Sequence, residues 1–286
     1  MKENRKLFFG LFIFPLLIAV SMAVLLCGVV LLTHERETPE TLIAAIKTGT
    51  PSKRWQKAFE LSNELNRNPE GLRGESVMRE IIHVLKDGSH YDSKTRGYMA
   101  LALAHFRQAE ALSALRQSLA DPADDIRVYA LWALGSLGAV EAAPDLVPIL
   151  KSESEPSRKM AVYVLGVLGN KALLPYIRPL LNDPSEEIRW NAALSMARLG
   201  SGEGLSVLKT MLDRESFSDG ERSLPETEIE KIMINAAKGL ALIPDAESIK
   251  ILQSVSRSDK NLKVRQAALD ALKHSHEKKS DLMNNA

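Results

Sequence analysis

Hydrophobic positions recur along most of the chain at helical spacing. Ile126, Ala130, Leu134 and Leu137 share one face of a helix, and Leu112, Leu115 and Leu119 share one face of the next type. The pattern repeats. Arg96, Arg127, Arg158 and Arg189 stand 31 residues apart, as do Leu119, Leu150, Leu181 and Leu212. Gly138, Gly169 and Gly200 keep the same step and close the first helix of three successive units, at positions suited to a left-handed cap. A worn copy lies at Trp55–Phe59, and two more follow at Met233–Leu240 and Val264–Leu272. A period in this range marks stacked helical hairpins, none of which buries enough core alone. The expected fold is all-α: an α-α superhelix of about seven hairpins over 49–273, with a capping helix from Pro39 to Lys47 and a polar, fraying tail at 274–286.

Turn chemistry fits that reading. Asp121-Pro122 and Asp183-Pro184 each offer a capping carboxylate followed by a proline suited to a first helical position. Pro144 and Pro175 can begin second helices, whereas Pro148 and Pro179 fall inside them and should make them irregular. The step from Arg189 to Met233 is 44, so 213–230 holds an insertion of 13 residues beyond the period. Long loops in compact arrays are often functional, and Phe217 and Leu224 are its candidate contact residues.

The first thirty-odd residues break the pattern. Leu7 to Leu32 is 26 residues without a charge, about 39 Å as a helix and more than a bilayer core of about 30 Å requires. An uncleaved transmembrane helix over 7–32 is expected; the rival is a cleaved signal peptide, whose apolar region is normally shorter. Lys2, Arg5 and Lys6 precede it and only Arg36 follows closely. The expectation is therefore a single-pass inner-membrane protein whose residues 1–6 are cytoplasmic and whose repeats face the periplasm. Ala19, Ala23 and Cys27 put small side chains on one face, a pattern that lets membrane helices approach.

Composition narrows the chemistry. The 37 Lys and Arg against 36 Asp and Glu give a net charge of +1, which argues against a dedicated nucleic-acid binder. One cysteine excludes an intrachain disulfide framework and a Cys-type zinc site. Aromatics are 5 % of the chain, and four of the seven Phe lie before residue 15, so Leu, Ala, Ile and Val must build the repeat core.

The Asp-Pro-x-x-x-Ile-Arg-x-x-Ala-x-x-x-Leu-Gly run at 121–135 resembles HEAT repeats, and more narrowly the HEAT-like units of phycobilisome lyases and bacterial adaptor proteins. The resemblance covers about residues 40–273. It implies that Arg96, Arg127, Arg158, Arg189 and Arg265 form an inter-repeat ladder with turn acids such as Asp92, Asp121, Glu153 or Glu155, Asp183 and Asp259, broken where Trp55 and Met233 replace the arginine. It also implies that second helices line the concave face, where Arg116, Arg178 and Lys209 would form a spaced cationic row.

No catalytic set emerges. The histidines lack a zinc spacing, Gly200–Gly204 lacks both a strand before it and a P-loop lysine, and no Gly-x-Ser-x-Gly elbow occurs. No catalytic, cofactor-binding or metal residue is expected, nor a nucleic-acid or small-molecule ligand. The expected function is a non-enzymatic membrane-anchored scaffold for a protein partner, such as a transporter or envelope-complex subunit. The alternatives are a cytoplasm-facing adaptor and a lyase accessory subunit.

Overall fold

The computed structural model describes residues 13–33, 38–67, 74–217, 224–243 and 245–284. Among them are fifteen α-helices and no β-strand. The first, α1 (Phe14–Thr33), is a 20-residue helix without a charged side chain, and Phe14, Leu17, Met22 and Leu25 are exposed on it. Among the described residues no helix is long and apolar enough to cross a membrane. The span expected over 7–32 is thus not established at that length, since residues 7–12 and the side chains of Cys27 and 30–32 lie outside the described residues. Ala19 and Ala23 are exposed on α1.

Everything from α2 onward is a two-layer helical stack. The first-layer helices are α3 (Pro51–Arg67), α5 (Ser93–Leu103), α7 (Asp124–Leu137), α9 (Glu155–Leu168), α11 (Glu186–Arg198), α13 (Glu226–Ala241) and α15 (Leu262–Asn284), each packed on the next. The second layer holds α2 (Pro39–Thr48), α4 (Glu75–Lys86), α6 (Ala109–Ser118), α8 (Ala143–Leu146), α10 (Leu174–Ile177), α12 (Leu205–Thr210) and α14 (Ala246–Ser258). Seven helices stand in each layer among the described residues. α15 runs on to Asn284, so the tail expected to fray from 274 continues the helix. Ser275 anchors it there, buried and donating to the Ala241 carbonyl at 3.3 Å.

Prolines and glycines shape the units as their chemistry requires. Pro148 and Pro179 deny the second layer an amide hydrogen mid-helix, so those segments divide into a 3-10 turn, one α turn and another 3-10 turn. Without such prolines, α14 is one helix of 13 residues. Gly138, Gly169 and Gly200 all take positive φ, at 65°, 76° and 77°, where a Cβ is disfavoured. The buried Leu, Ala, Ile and Val form two stretches of core meeting at α11, which gives Ile188, Ala192 and Met196 to one side and Ala193 and Ala197 to the other.

Asp121 does not cap a helix. α7 starts at Asp124, and Asp121 instead accepts the Ala123 amide at 2.9 Å in a turn ahead of it. Asp183 does the same with the Ser185 amide, at 2.9 Å. Each carboxylate also has an oxygen left for another unit.

Candidate interaction surfaces

Along the turn edge, the freed carboxylates meet arginines of the preceding unit. Arg96 Nη2 binds Asp121 Oδ2 and its Nε donates to the Leu85 carbonyl at 2.7 Å. Arg158 spans Asp183 with Nε at 3.2 Å and Nη2 at 3.4 Å, while Nη1 donates to the carbonyls of Ser152 and Glu153 at 2.7 and 3.0 Å. These guanidinium groups therefore join two turns at once. The other positions depart from the ladder. Arg127 bonds mainly within its own unit, to the Asp121 carbonyl at 2.7 Å and Asp124 at 2.8 Å, because Ser152 stands where an aspartate would receive it. It reaches the next unit only through Nε to the Ser157 hydroxyl at 3.5 Å. Asp124 reaches across in its place and accepts the hydroxyls of Ser154 and Ser157. Burial alone would raise its pKa, but these hydroxyls and Arg127 hold it below the usual carboxylate value.

Arg189 likewise binds its own turn, at the Asp183 carbonyl, 2.8 Å away. Glu155 accepts the Ser185 hydroxyl instead. Asp92 caps α5, accepting the Thr95 amide at 2.9 Å. Arg265 has no ion pair among the described residues.

Neither expected break leaves the edge without a guanidinium. Beside Trp55, Arg54 donates to the His90 carbonyl at 2.6 Å and lies 5.3 Å over the Tyr91 ring. Met233 is buried, and Arg214 supplies the missing guanidinium from the insertion. Its Nη2 and Nε reach Asp259 at 2.8 and 3.3 Å, and Nη1 reaches Glu226 at 2.6 Å. Burial opposes the charge on Arg214, yet Asp259 and Glu226 beside it raise its pKa.

The expected cationic row on the second layer is neutralised. Arg116 pairs with Asp145, and Arg178 grips Glu203 with two hydrogen bonds, one of them at 2.9 Å. Lys209 lies 4.0 Å from Glu247, and earlier in the stack Lys47 pairs with Glu80 at 2.8 Å. Each cation spends its charge on the next second-layer segment. The hydrogen bond and charge of Asp145 raise the Arg116 pKa, and Glu203 does the same for Arg178. The insertion also turns inward: Phe217 is buried edge-on against Trp190, centroids 5.9 Å apart, and Leu224 packs on the same core. Phe217 and Leu224 are therefore packing residues, with 218–223 outside the described residues.

The first-layer face is different. Phe59 meets Tyr98 edge-on at 5.4 Å, and Tyr98 stacks with Tyr129 at 6.1 Å. Phe59, Trp132 and Tyr163 remain 45 %, 42 % and 38 % exposed. Sequence reading missed this strip, although Tyr98–Tyr129 and Trp132–Tyr163 keep the 31-residue step. Helical spacing alone does not say which side of an apolar-rich helix is covered. Among the described residues, no group of three or more His, Cys, Asp or Glu is arranged to hold a metal ion.

The family model of HEAT repeats matches residues 78–163 and 143–224, together about half of the chain. No curated protein matches. Among solved structures, the complex of CpcE and CpcF of phycocyanin lyase from Nostoc sp. PCC7120 is similar at 20 % identity and a TM-score of 0.57, over 84 % of this chain and 88 % of that one. The Escherichia coli protein YibA is similar at 14 % identity and a TM-score of 0.56, over 86 % and 85 % of the two chains. At these identities the likeness is one of fold.

Proposed function

We propose, from the premise that this chain belongs to the HEAT-repeat family, that it is a non-enzymatic scaffold holding a protein partner along its solenoid. The observation that carries this reading is the contrast in surface chemistry. On the second layer Arg116, Arg178 and Lys209 each lie beside a carboxylate and the Tyr176 ring is exposed, whereas the first layer leaves Phe59, Trp132 and Tyr163 exposed in successive units of a rigid stack. A stacked core fixes such contacts in space, which suits binding many weak points at once.

The scaffold is tethered through α1 to the inner membrane, with the repeats on the periplasmic side, where its partner is a subunit of a transporter or envelope complex. Support for the tether is physical. The uncharged run from Leu7 to Leu32 has 26 residues, and the exposed Leu, Met and Phe side chains of α1 within it favour hydrocarbon over water. Lys2, Arg5 and Lys6 before the helix favour a cytoplasmic start. Likeness to the lyase complex lends the fold and no activity.

The test uses the full chain. It should sediment with membranes, resist carbonate and dissolve in detergent, and alkaline phosphatase fused after Ala286 should be active. One defined polypeptide should be retained by crosslinking. Recovery in the soluble fraction would overturn the tether, and an active fluorescent protein in place of the phosphatase would overturn the orientation. Full function with no associated polypeptide would overturn the scaffold.

A further inference from the structure

We infer that the first-layer face is a docking track for one polypeptide segment, apolar and aromatic over one half and acidic over the other. This deepens the scaffold reading and rests on it for the existence of a partner.

A single register of the repeat runs across the face. It carries Leu101, Trp132, Tyr163 and Leu194 at steps of 31, and after the insertion, at a step of 44, Lys238. The neighbouring register changes in the same place, from exposed Val167 to exposed Arg198. Rings thus run from α3 to α9 (Phe59, Tyr98, Tyr129, Trp132 and Tyr163), with Glu60 exposed beside them. Basic residues stand on α11 and α13 (Arg198 and Lys238), with Asp270 and Leu269 exposed on α15. Arg198 joins the halves, its guanidinium lying 5.1 Å over the Tyr163 ring.

The cationic half is a groove of about 630 Å³ between α11, α13 and α15. Arg198, Lys238 and Lys263 line it with an apolar wall of Ala241 and Ala267, and Asp270 is its carboxylate. Lys263 meets Glu230 at 3.0 Å, and Asp270 accepts from the neutral Gln266 amide at 2.9 Å and keeps its charge, so Arg198 and Lys238 leave the groove with a net positive charge. Exposed rings bind apolar and aromatic side chains, and a partly desolvated cationic groove binds carboxylates.

The dimensions fit an extended chain. Helices packed about 10 Å apart make the first half about 30 Å long and the second about 20 Å. With the step between them the whole track is about 60 Å, which about eighteen extended residues cover. A bilayer suits the track less well. Exposed Asp125 stands beside the apolar half, and an anionic surface would repel it.

The experiment uses the full chain in nanodiscs of zwitterionic lipid. The probe is a labelled synthetic peptide of about eighteen residues, with Leu and Phe alternating with Ser in its first half and Glu alternating with Ser in its second. It should bind at least about 10-fold more tightly than an isomer of the same composition with Phe, Leu and Glu interspersed, or than a version with Lys for Glu. Trp132→Ala with Tyr163→Ala should weaken it about 10-fold, and Arg198→Glu with Lys238→Glu should reverse the preference toward the Lys peptide. Each substitution is also made singly, with the unfolding midpoint measured in parallel, so that loss of binding is read on folded protein. Equal affinity for the blocked and interspersed peptides would overturn the inference. So would binding to phosphatidylglycerol vesicles that depends on Trp132 and Lys238 while no peptide binds. Undiminished capture of the crosslinked partner by the quadruple variant would overturn the track and leave the scaffold standing.

Discussion

Two sets of arginine–carboxylate pairs run along this solenoid, and they differ in what surrounds them. On the turn edge, Arg158 and Asp183 are 16 % and 9 % exposed, and Arg214 and Asp259 are 13 % and 7 % exposed. On the second layer, Arg178 and Glu203 are 55 % and 42 % exposed. Geometry is good in both sets, and both bridge consecutive units. Burial separates them, because water screens an exposed pair while a buried charge that loses its partner has nothing to replace it. The edge therefore fixes how the units stack, and the second-layer pairs mainly cancel the charge of that face.

The largest effect is expected where the edge crosses the insertion. Arg214→Met leaves Asp259 and Glu226 without their guanidinium and should cost about 3 kcal/mol of stability in denaturant unfolding. Restoring an arginine in register, by Met233→Arg, should not recover it, because residue 233 is buried in the core.

Arg158→Lys should cost about 1–2 kcal/mol in the same measurement. One ammonium cannot reach both Asp183 oxygens and the Ser152 and Glu153 carbonyls together.

A pH series sharpens the comparison at Asp124, whose folded-state pKa lies below its ordinary value of 3.8. A depressed carboxylate stabilises the fold fully above its unfolded pKa and loses that contribution as pH falls through its folded one. The stability difference between wild type and Asp124→Asn should thus be constant near neutrality and shrink as pH drops below about 4.

The smallest effect belongs to the exposed set. Arg178→Ala should leave the melting temperature within about 2 °C of wild type, and 1 M salt should erase even that difference.

The repeat, the left-handed glycines and the irregular second-layer segments were legible because each follows from local chemistry at a fixed step. Gly138 needs no neighbour to explain it, and Pro148 breaks its helix in any context. The rungs were only half legible. Arg96 and Arg158 sit where the step puts them and meet their acids, but Arg127 faces a serine, finds its acid in its own unit and touches the next only at the Ser157 hydroxyl. Arg214 stands 31 residues after Asp183, at a position where the pattern calls for an acid, so periodicity pointed away from it.

The second-layer row failed for a related reason. Asp145, Glu203 and Glu247 lie 29, 25 and 38 residues after the cations they neutralise, outside the repeat step. Phe217 was read as presented because its segment is polar, yet the ring found Trp190 and the core. The aromatic face was missed because Trp132 and Tyr163 look like core in a one-dimensional pattern, and only packing shows which side is left open.

The central claim is that Arg116, Arg178 and Lys209 are neutralised within the second layer and the first layer receives the partner. Photo-crosslinking amino acids placed singly at Trp132 and Tyr163, and at Ser113 and Thr210 on the second layer, test it in intact cells. Adducts to one polypeptide from 132 and 163, with none from 113 and 210, are predicted. Adducts from 113 and 210 alone would contradict the account.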